Sequence, residues 1–167
     1  MFCGEIFTQL QKNKVKYLVV GGVAVNLYGF ARLTGDLDIM LLLKDANIKK
    51  FLAVAKRLGF KPKIPVPIDD FADEEKRRAW IEKKKMLAFC IYNKNNPDEV
   101  IDVLIDGCGD FEKAYNKKEI MKSGLFKIPV VCLDDLIALK RKANRERDKI
   151  DIRVLEQIRG MRHGTKK

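Results

Sequence analysis

Residues 17–43 read YLVVGGVAVNLYGFARLTGDLDIMLLL, and the fold turns on how this stretch is read. Two apolar runs, Tyr17–Val20 and Leu37–Leu43, are short and continuous, as buried strands are. Between them Gly21 and Gly22 make a turn, and Val23–Tyr28 looks like a short helix. Asp36 and Asp38 stand at the head of the second run with only Leu37 between them. Side chains alternate faces along a strand, so the two carboxylates point the same way. Carboxylates that close repel each other unless a cation lies between them. An Asp-x-Asp entering a run of Ile, Met and Leu therefore suggests a divalent metal rather than a solvated turn.

Outward from this stretch the chain alternates between elements. Ile6, Phe7 and Leu10 recur at helical spacing and predict an opening helix over Glu5–Lys12. Asp45 is placed to cap a helix reaching Leu58, where Gly59 ends it. Pro62, Pro65 and Pro67 make Lys61–Ile68 extended and irregular. Asp69–Lys85 is highly charged, with only Phe71, Trp80 and Ile81 as an apolar face, and reads as a surface helix or a mobile insertion. Met86–Tyr92 and Glu99–Asp106 form a hairpin around the turn-rich NKNNPD. Asp110–Lys122 is expected to be helical, Phe126–Val131 a strand, and Leu133 to about Arg159 a helical region. The expected organisation is an α/β core over residues 1–132, with a helical segment over 133–167 packed on it as one compact unit.

Composition bounds the function. The length of 167 residues fits one domain, and 47% apolar residues are enough for a real core. No apolar run approaches the ~20 residues that span a bilayer. The opening MFCGEIFTQLQKNK lacks a basic segment followed by a long apolar one, so the expected location is cytoplasmic. Cys3, Cys90, Cys108 and Cys132 are scattered without a CxxC pair, and His163 is the only histidine. That pattern argues against a zinc site and against a histidine-activated serine or cysteine, and for free thiols in a reducing compartment. The net charge of +11 is concentrated toward the C-terminus. Residues 1–106 carry 18 Lys/Arg against 14 Asp/Glu, and residues 107–167 carry 16 against 9. Such a balance suits a polyanion such as RNA or a nucleoside triphosphate, and equally a solvated lysine-rich surface.

A two-metal site needs a third carboxylate, because two cations about 3.5–4 Å apart clamp the attacking and leaving oxygens of a phosphoryl group. Asp102 in EVIDVLID is the candidate: it lies within an aliphatic strand, where an unpaired carboxylate is costly. Asp106 is on the same strand face but ends the run before Gly107, which makes it more simply a turn residue. Gly21 and Gly22 follow a strand and precede a helix, where backbone N–H groups can approach a phosphate. A Gly-Gly pair is by itself more often a tight turn. No Walker GK[ST] and no GxGxxG is present.

GGVAVNLYGFARLTGDLDI (residues 21–39) resembles the signature of the DNA polymerase beta-type nucleotidyltransferase superfamily: strand, Gly-Gly or Gly-Ser turn, helix, then a strand bearing Asp-x-Asp. The form with Arg32 and Thr34 ahead of Asp36 looks like the abortive-infection (AbiEii-type) toxin group. LDDLIALKRKANRERDKIDIRVL (residues 133–155) is similar to that group's Lys-x-x-Ala…Arg-Asp-x-x-Asp segment at Lys140, Ala143, Arg147, Asp148 and Asp151. IDVLID fits the third-carboxylate strand between these blocks. The resemblance implies an α/β (α+β) fold with a small mixed sheet flanked by helices. It implies Mg²⁺ or Mn²⁺ bound by Asp36 and Asp38, with Asp102 as third metal carboxylate and activator of the attacking hydroxyl. It also implies nucleotide binding, ATP included, through Gly21, Gly22, Arg32, Thr34, Lys140 and Arg147. The acceptor is left open: RNA, protein or a small molecule.

The C-terminal block also has a reading of its own. In one continuous helix at 100° per residue, Lys140, Asn144, Arg147 and Asp151 interrupt a stripe begun by Leu133, Leu136 and Ile137 and resumed by Val154, Leu155 and Ile158. A core-facing stripe with a polar middle suggests a helix crossing a cleft, with Lys140 as phosphate ligand. Two helices broken near Asn144–Asp148 would destroy that phase. A separate reading makes Asp148 and Asp151 structural, holding Arg147 or Lys140 in place. The function expected is a metal-dependent transfer of a nucleoside monophosphate from a triphosphate to a hydroxyl, releasing pyrophosphate. The alternative is a non-catalytic nucleotide- or RNA-binding protein on the same fold. A toxin module with an antitoxin partner is compatible with either.

Overall fold

The computed structural model of the chain describes residues 4–106, 109–124 and 126–164. Seven strands form one mixed sheet: β1 (Tyr17–Val19), β2 (Asp36–Leu41), β3 (Phe60–Pro62), β4 (Ala88–Asn93), β5 (Asn96–Leu104), β6 (Glu119–Ser123) and β7 (Phe126–Val130), in the order β3-β4-β5-β2-β1-β7-β6. The helices are α1 (Gly4–Lys12), α2 (Gly21–Leu27), α3 (Asp45–Arg57), α4 (Glu74–Lys84), α5 (Phe111–Asn116), α6 (Leu133–Ala143) and α7 (Glu146–Gly164). Strands β2 and β5 are parallel at the centre of the sheet, and β1 runs antiparallel beside β2.

The alternation along β2 explains the layering. Leu37, Ile39 and Leu41 point to one face and are buried there with Tyr17, Val19, Phe89, Ile91, Ile101 and Val103. Phe7 and Leu10 of α1 and Ile48, Phe51 and Ala55 of α3 belong to the same core. Each such large side chain contributes about 1.5–3 kcal/mol by leaving water. Buried Asn47 closes the edge of this layer, accepting from Lys16 N–H and donating to the carbonyls of Lys16 and Leu42 at 2.8–2.9 Å. The other face carries Asp36, Asp38 and Met40. The side chains of α2, α6 and α7 that join the core include Ala24, Val25, Leu136, Ile137 and Leu155. Among the described residues no helix is long and apolar enough to cross a membrane.

The structure decides between some of these expectations and adds to others. Of the two readings of residues 69–85, the surface helix holds and the mobile insertion does not: α4 is largely exposed, but Phe71 and Trp80 are buried and each stacks on Phe89, at 4.8 and 5.3 Å between ring centroids. Two aromatics were enough to seat an otherwise charged helix, with Arg77 beneath it donating to the Phe71 carbonyl at 2.7 Å. Residues 110–122 are helical only to Asn116, and Glu119–Ser123 form edge strand β6. The exposed Ile120 on that edge concealed its two-residue period. Phe60–Pro62 adds the opposite edge strand, which tolerates proline because one side of it makes no ladder bonds. Finally, the continuous helix over 133–159 is overturned and the alternative of a break near Asn144 holds: Asn144 takes a left-handed conformation (φ 49°) and ends α6. Cys90 and Cys132 are free thiols, and Cys3 and Cys108 lie outside the described residues.

Candidate active site

Parallel pairing of β2 with β5 sets Asp38 directly beside Asp102, and Asp36 beside Val100. Neighbouring strands are about 4.8 Å apart, so the Asp38 and Asp102 carboxylates share one patch of the sheet face. Asp38 is half-buried and Asp36 exposed at the strand's head. The Asp38 carboxyl is pushed up from its ordinary value, by burial first and then by Asp102; the Gly22 N–H donates to it and opposes the shift, Asp36 adds to it, and Arg145 opposes it. Asp102 Oδ1 is buried and has no hydrogen-bond partner. Cys90, in register with Asp102 across the β4–β5 hairpin, has its thiol pushed up to about 12 by burial and by its hydrogen bond to Asp102.

These observations fit a divalent cation. A buried carboxylate oxygen without a partner and a neighbouring carboxyl with a raised pKa are both relieved by positive charge between them. As the side chains stand, no three His, Cys, Asp or Glu among the described residues are drawn together closely enough to hold a metal ion.

The glycine turn is shaped around Asp38. Gly21 has φ +62°, and a Cβ built on it would lie 1.8 Å from Asp38 Oδ2. A Cβ on Gly22 would lie 2.3 Å from Thr34 Oγ1 and 3.1 Å from an Arg32 guanidinium nitrogen. Gly21, Gly22, Arg32, Thr34 and Asp38 therefore pack as one group.

Arg32 is held there from the other end of the chain. Its Nε and Nη2 donate to the two oxygens of Asp151 at 2.8 and 2.9 Å. Lys140 Nζ reaches Asp151 Oδ2 at 2.7 Å and Asp148 Oδ1 at 3.1 Å. Lys140, Asp148 and Asp151 are all buried. Burial by itself would raise the Asp151 carboxyl, but hydrogen bonds from Arg32 and Lys140 outweigh it and hold the group below its ordinary value. Lys140 was expected as a phosphate ligand; its ammonium is instead buried between the Asp148 and Asp151 carboxylates. Arg147 is exposed in the first turn of α7.

The helix break brings in a residue that helical periodicity concealed. Arg145 follows the left-handed Asn144, and its N–H donates to Asp148 Oδ2 at 3.2 Å. Its exposed guanidinium acts electrostatically on Asp38. The only hint in the sequence was its position between Asn144 and the Arg-Asp pair.

Sheet order and the paired strands define a nucleotidyltransferase-like α/β fold. A solved structure with this fold is the lincomycin-bound crystal structure of the lincosamide antibiotic adenylyltransferase LnuA. It is similar at a TM-score of 0.62, covering 94% of this chain and 96% of that one at 16% identity. At that identity the likeness is one of fold. No protein-family model matches the sequence, and no curated protein matches it.

Proposed function

We infer that the chain is a metal-dependent nucleotidyltransferase that moves a nucleoside monophosphate from a triphosphate to a hydroxyl acceptor. The observation that carries this reading is the Asp38–Asp102 pair, with its unpartnered buried oxygen, set against the Gly21–Gly22 turn. Mg²⁺ or Mn²⁺, held by Asp36, Asp38 and Asp102, would supply positive charge to the phosphoryl oxygens. The first turn of α2, with Arg32 and Thr34, receives the phosphates. Arg145, which acts on Asp38, offers a guanidinium group to the phosphates, with Arg147 exposed two residues further on, while Lys140 serves by fixing Asp151, and through it Arg32. Asp102 accepts the proton of the attacking hydroxyl. Catalysis is then positioning plus charge stabilisation. LnuA is described as an adenylyltransferase, which makes ATP the first triphosphate to test. An abortive-infection-type role with an antitoxin partner rests on the Lys140–Asp151 segment, and the acceptor decides it.

The test is direct. Purified protein is incubated with Mg²⁺ and each α-labelled triphosphate, and pyrophosphate release and label transfer are followed. Transfer should require Asp38 and Asp102. Transfer that survives Asp102→Asn, or no triphosphate binding at all, removes the reading.

A further inference from the structure

Residues 28–35 join α2 to β2 without a helix or strand of their own. Within that loop the backbone of Arg32 is nevertheless held. Asn26, in the last turn of α2, makes two bonds to it: the Arg32 N–H donates to Asn26 Oδ1 at 3.1 Å, and Asn26 Nδ2 donates to the Arg32 carbonyl at 2.9 Å. One side-chain amide thus satisfies both backbone polar groups of one residue, as the facing residue of a neighbouring strand does in a ladder. Only one orientation of the amide does this, because an oxygen has to face the N–H and a nitrogen the carbonyl. Gly29, at φ +110°, turns the chain back toward α2 between the two residues.

The side chain of the same arginine is held separately. Asp151 takes Nε and Nη2, and Nη1 donates to the Leu33 carbonyl at 3.0 Å. A guanidinium carries five N–H donors in a rigid fork. Three are used in these bonds, which leaves one on Nη1 and one on Nη2. Nη2 is the nitrogen that stands 3.1 Å from the place of a Gly22 Cβ. Arg32 therefore keeps a donor at the Gly21–Gly22 turn after its internal partners are satisfied. The stem of an arginine is long and flexible, so the Asp151 pair alone does not fix where the loop backbone lies. The two Asn26 bonds do.

We propose that Asn26 is a positioning residue for triphosphate binding: it holds the Arg32 backbone so that the guanidinium presents its remaining Nη2 donor to a phosphate oxygen at the glycine turn. The proposal rests on the nucleotidyltransferase reading above and adds to it a residue that does not touch the ligand. A donor already in place binds an anion without the cost of ordering a loop and a long side chain at that moment. Aspartate at residue 26 keeps an acceptor for the Arg32 N–H but sets an oxygen against the Arg32 carbonyl, and alanine removes both bonds.

Wild type, Asn26→Ala and Asn26→Asp are titrated with non-hydrolysable triphosphate analogues and Mg²⁺, and melted without ligand. The same is done with each in an Arg32→Gln background, which removes the guanidinium and leaves the backbone that Asn26 holds. Both Asn26 variants should melt earlier than their parent in either background. With Arg32 in place, analogue affinity should fall roughly tenfold, the scale of a lost charged hydrogen bond. In the Arg32→Gln background the further loss should stay below about twofold, because the two changes act through one group. Asn26→Asp, the smaller change, decides the matter where Asn26→Ala does not fold. Variants that melt earlier but bind the analogue as wild type does make Asn26 a structural brace and overturn the proposal. An equal loss of affinity in both backgrounds overturns it too, because the effect then does not pass through the guanidinium. Wild type that binds no analogue removes the nucleotidyltransferase reading itself, and the role of Asn26 with it.

Discussion

Gly21 makes room for the Asp38 carboxylate: a Cβ at residue 21 would stand 1.8 Å from Asp38 Oδ2, on a backbone whose φ is +62°. Two separate costs fall on Gly21→Ala. A side chain in the left-handed region costs about 1–2 kcal/mol, and the methyl group also displaces the Asp38 carboxylate. A loss of thermal stability of that order is expected, together with loss of Mg²⁺-dependent transfer. A variant that melts earlier but keeps full transfer would separate the turn from the chemistry.

Asp38→Asn should act in the opposite direction on stability. The folded environment raises the Asp38 carboxyl above its ordinary value of 3.8, so the folded protein binds the proton more tightly than the unfolded chain does. Asp38 therefore costs metal-free stability as pH rises from 3.8 through the raised value, and the cost is constant above it. The asparagine variant should be more stable than wild type by about 0.5–2 kcal/mol at neutral pH. The gap should close toward pH 3.8, and Mg²⁺ should no longer stabilise the variant. Melts across pH, with and without Mg²⁺, measure all three.

Asp151 carries the reverse sign. Its carboxyl is held below the ordinary value, so its contribution is present above 3.8 and is lost as pH falls below that. Asp151→Asn leaves Arg32 and buried Lys140 facing each other without their shared counter-charge. A loss of about 3–5 kcal/mol is expected by urea unfolding, as for other broken buried ion pairs. Lys140→Ala should likewise cost stability and should weaken triphosphate and monophosphate binding equally. A loss confined to the triphosphate would place the Lys140 ammonium on the phosphates instead.

Arg145→Ala tests the residue at the helix break. The side chain is exposed, so the melting temperature should stay within the range of ordinary surface substitutions. Triphosphate affinity should fall by about 1.5–3 kcal/mol, the scale of a charged hydrogen bond, and monophosphate affinity by much less. Isothermal titration of both ligands decides it, and equal affinities for wild type and variant would take Arg145 out of the site.

The sequence by itself determined what is local. The two-residue period of a strand places Asp36, Asp38 and Met40 on one face whatever surrounds them, and a Gly-Gly pair between a strand and a helix requires a turn. An aspartate inside an aliphatic run made Asp102 conspicuous because burying a charge there is costly. The tertiary structure alone decided what depends on partners distant along the chain. The pairing of β2 with β5 sets Asp38 beside Asp102 and leaves Asp36 two residues away, beside Val100. The seating of the charged residues 69–85 depends on Phe89, which arrives later in the chain. A helix read from periodicity alone ran through Asn144, because Lys140 and Asp151 keep phase in a continuous helix. In the fold they meet because the chain breaks at Asn144 and turns back, and Arg32, more than a hundred residues earlier, shares the Asp151 carboxylate with Lys140.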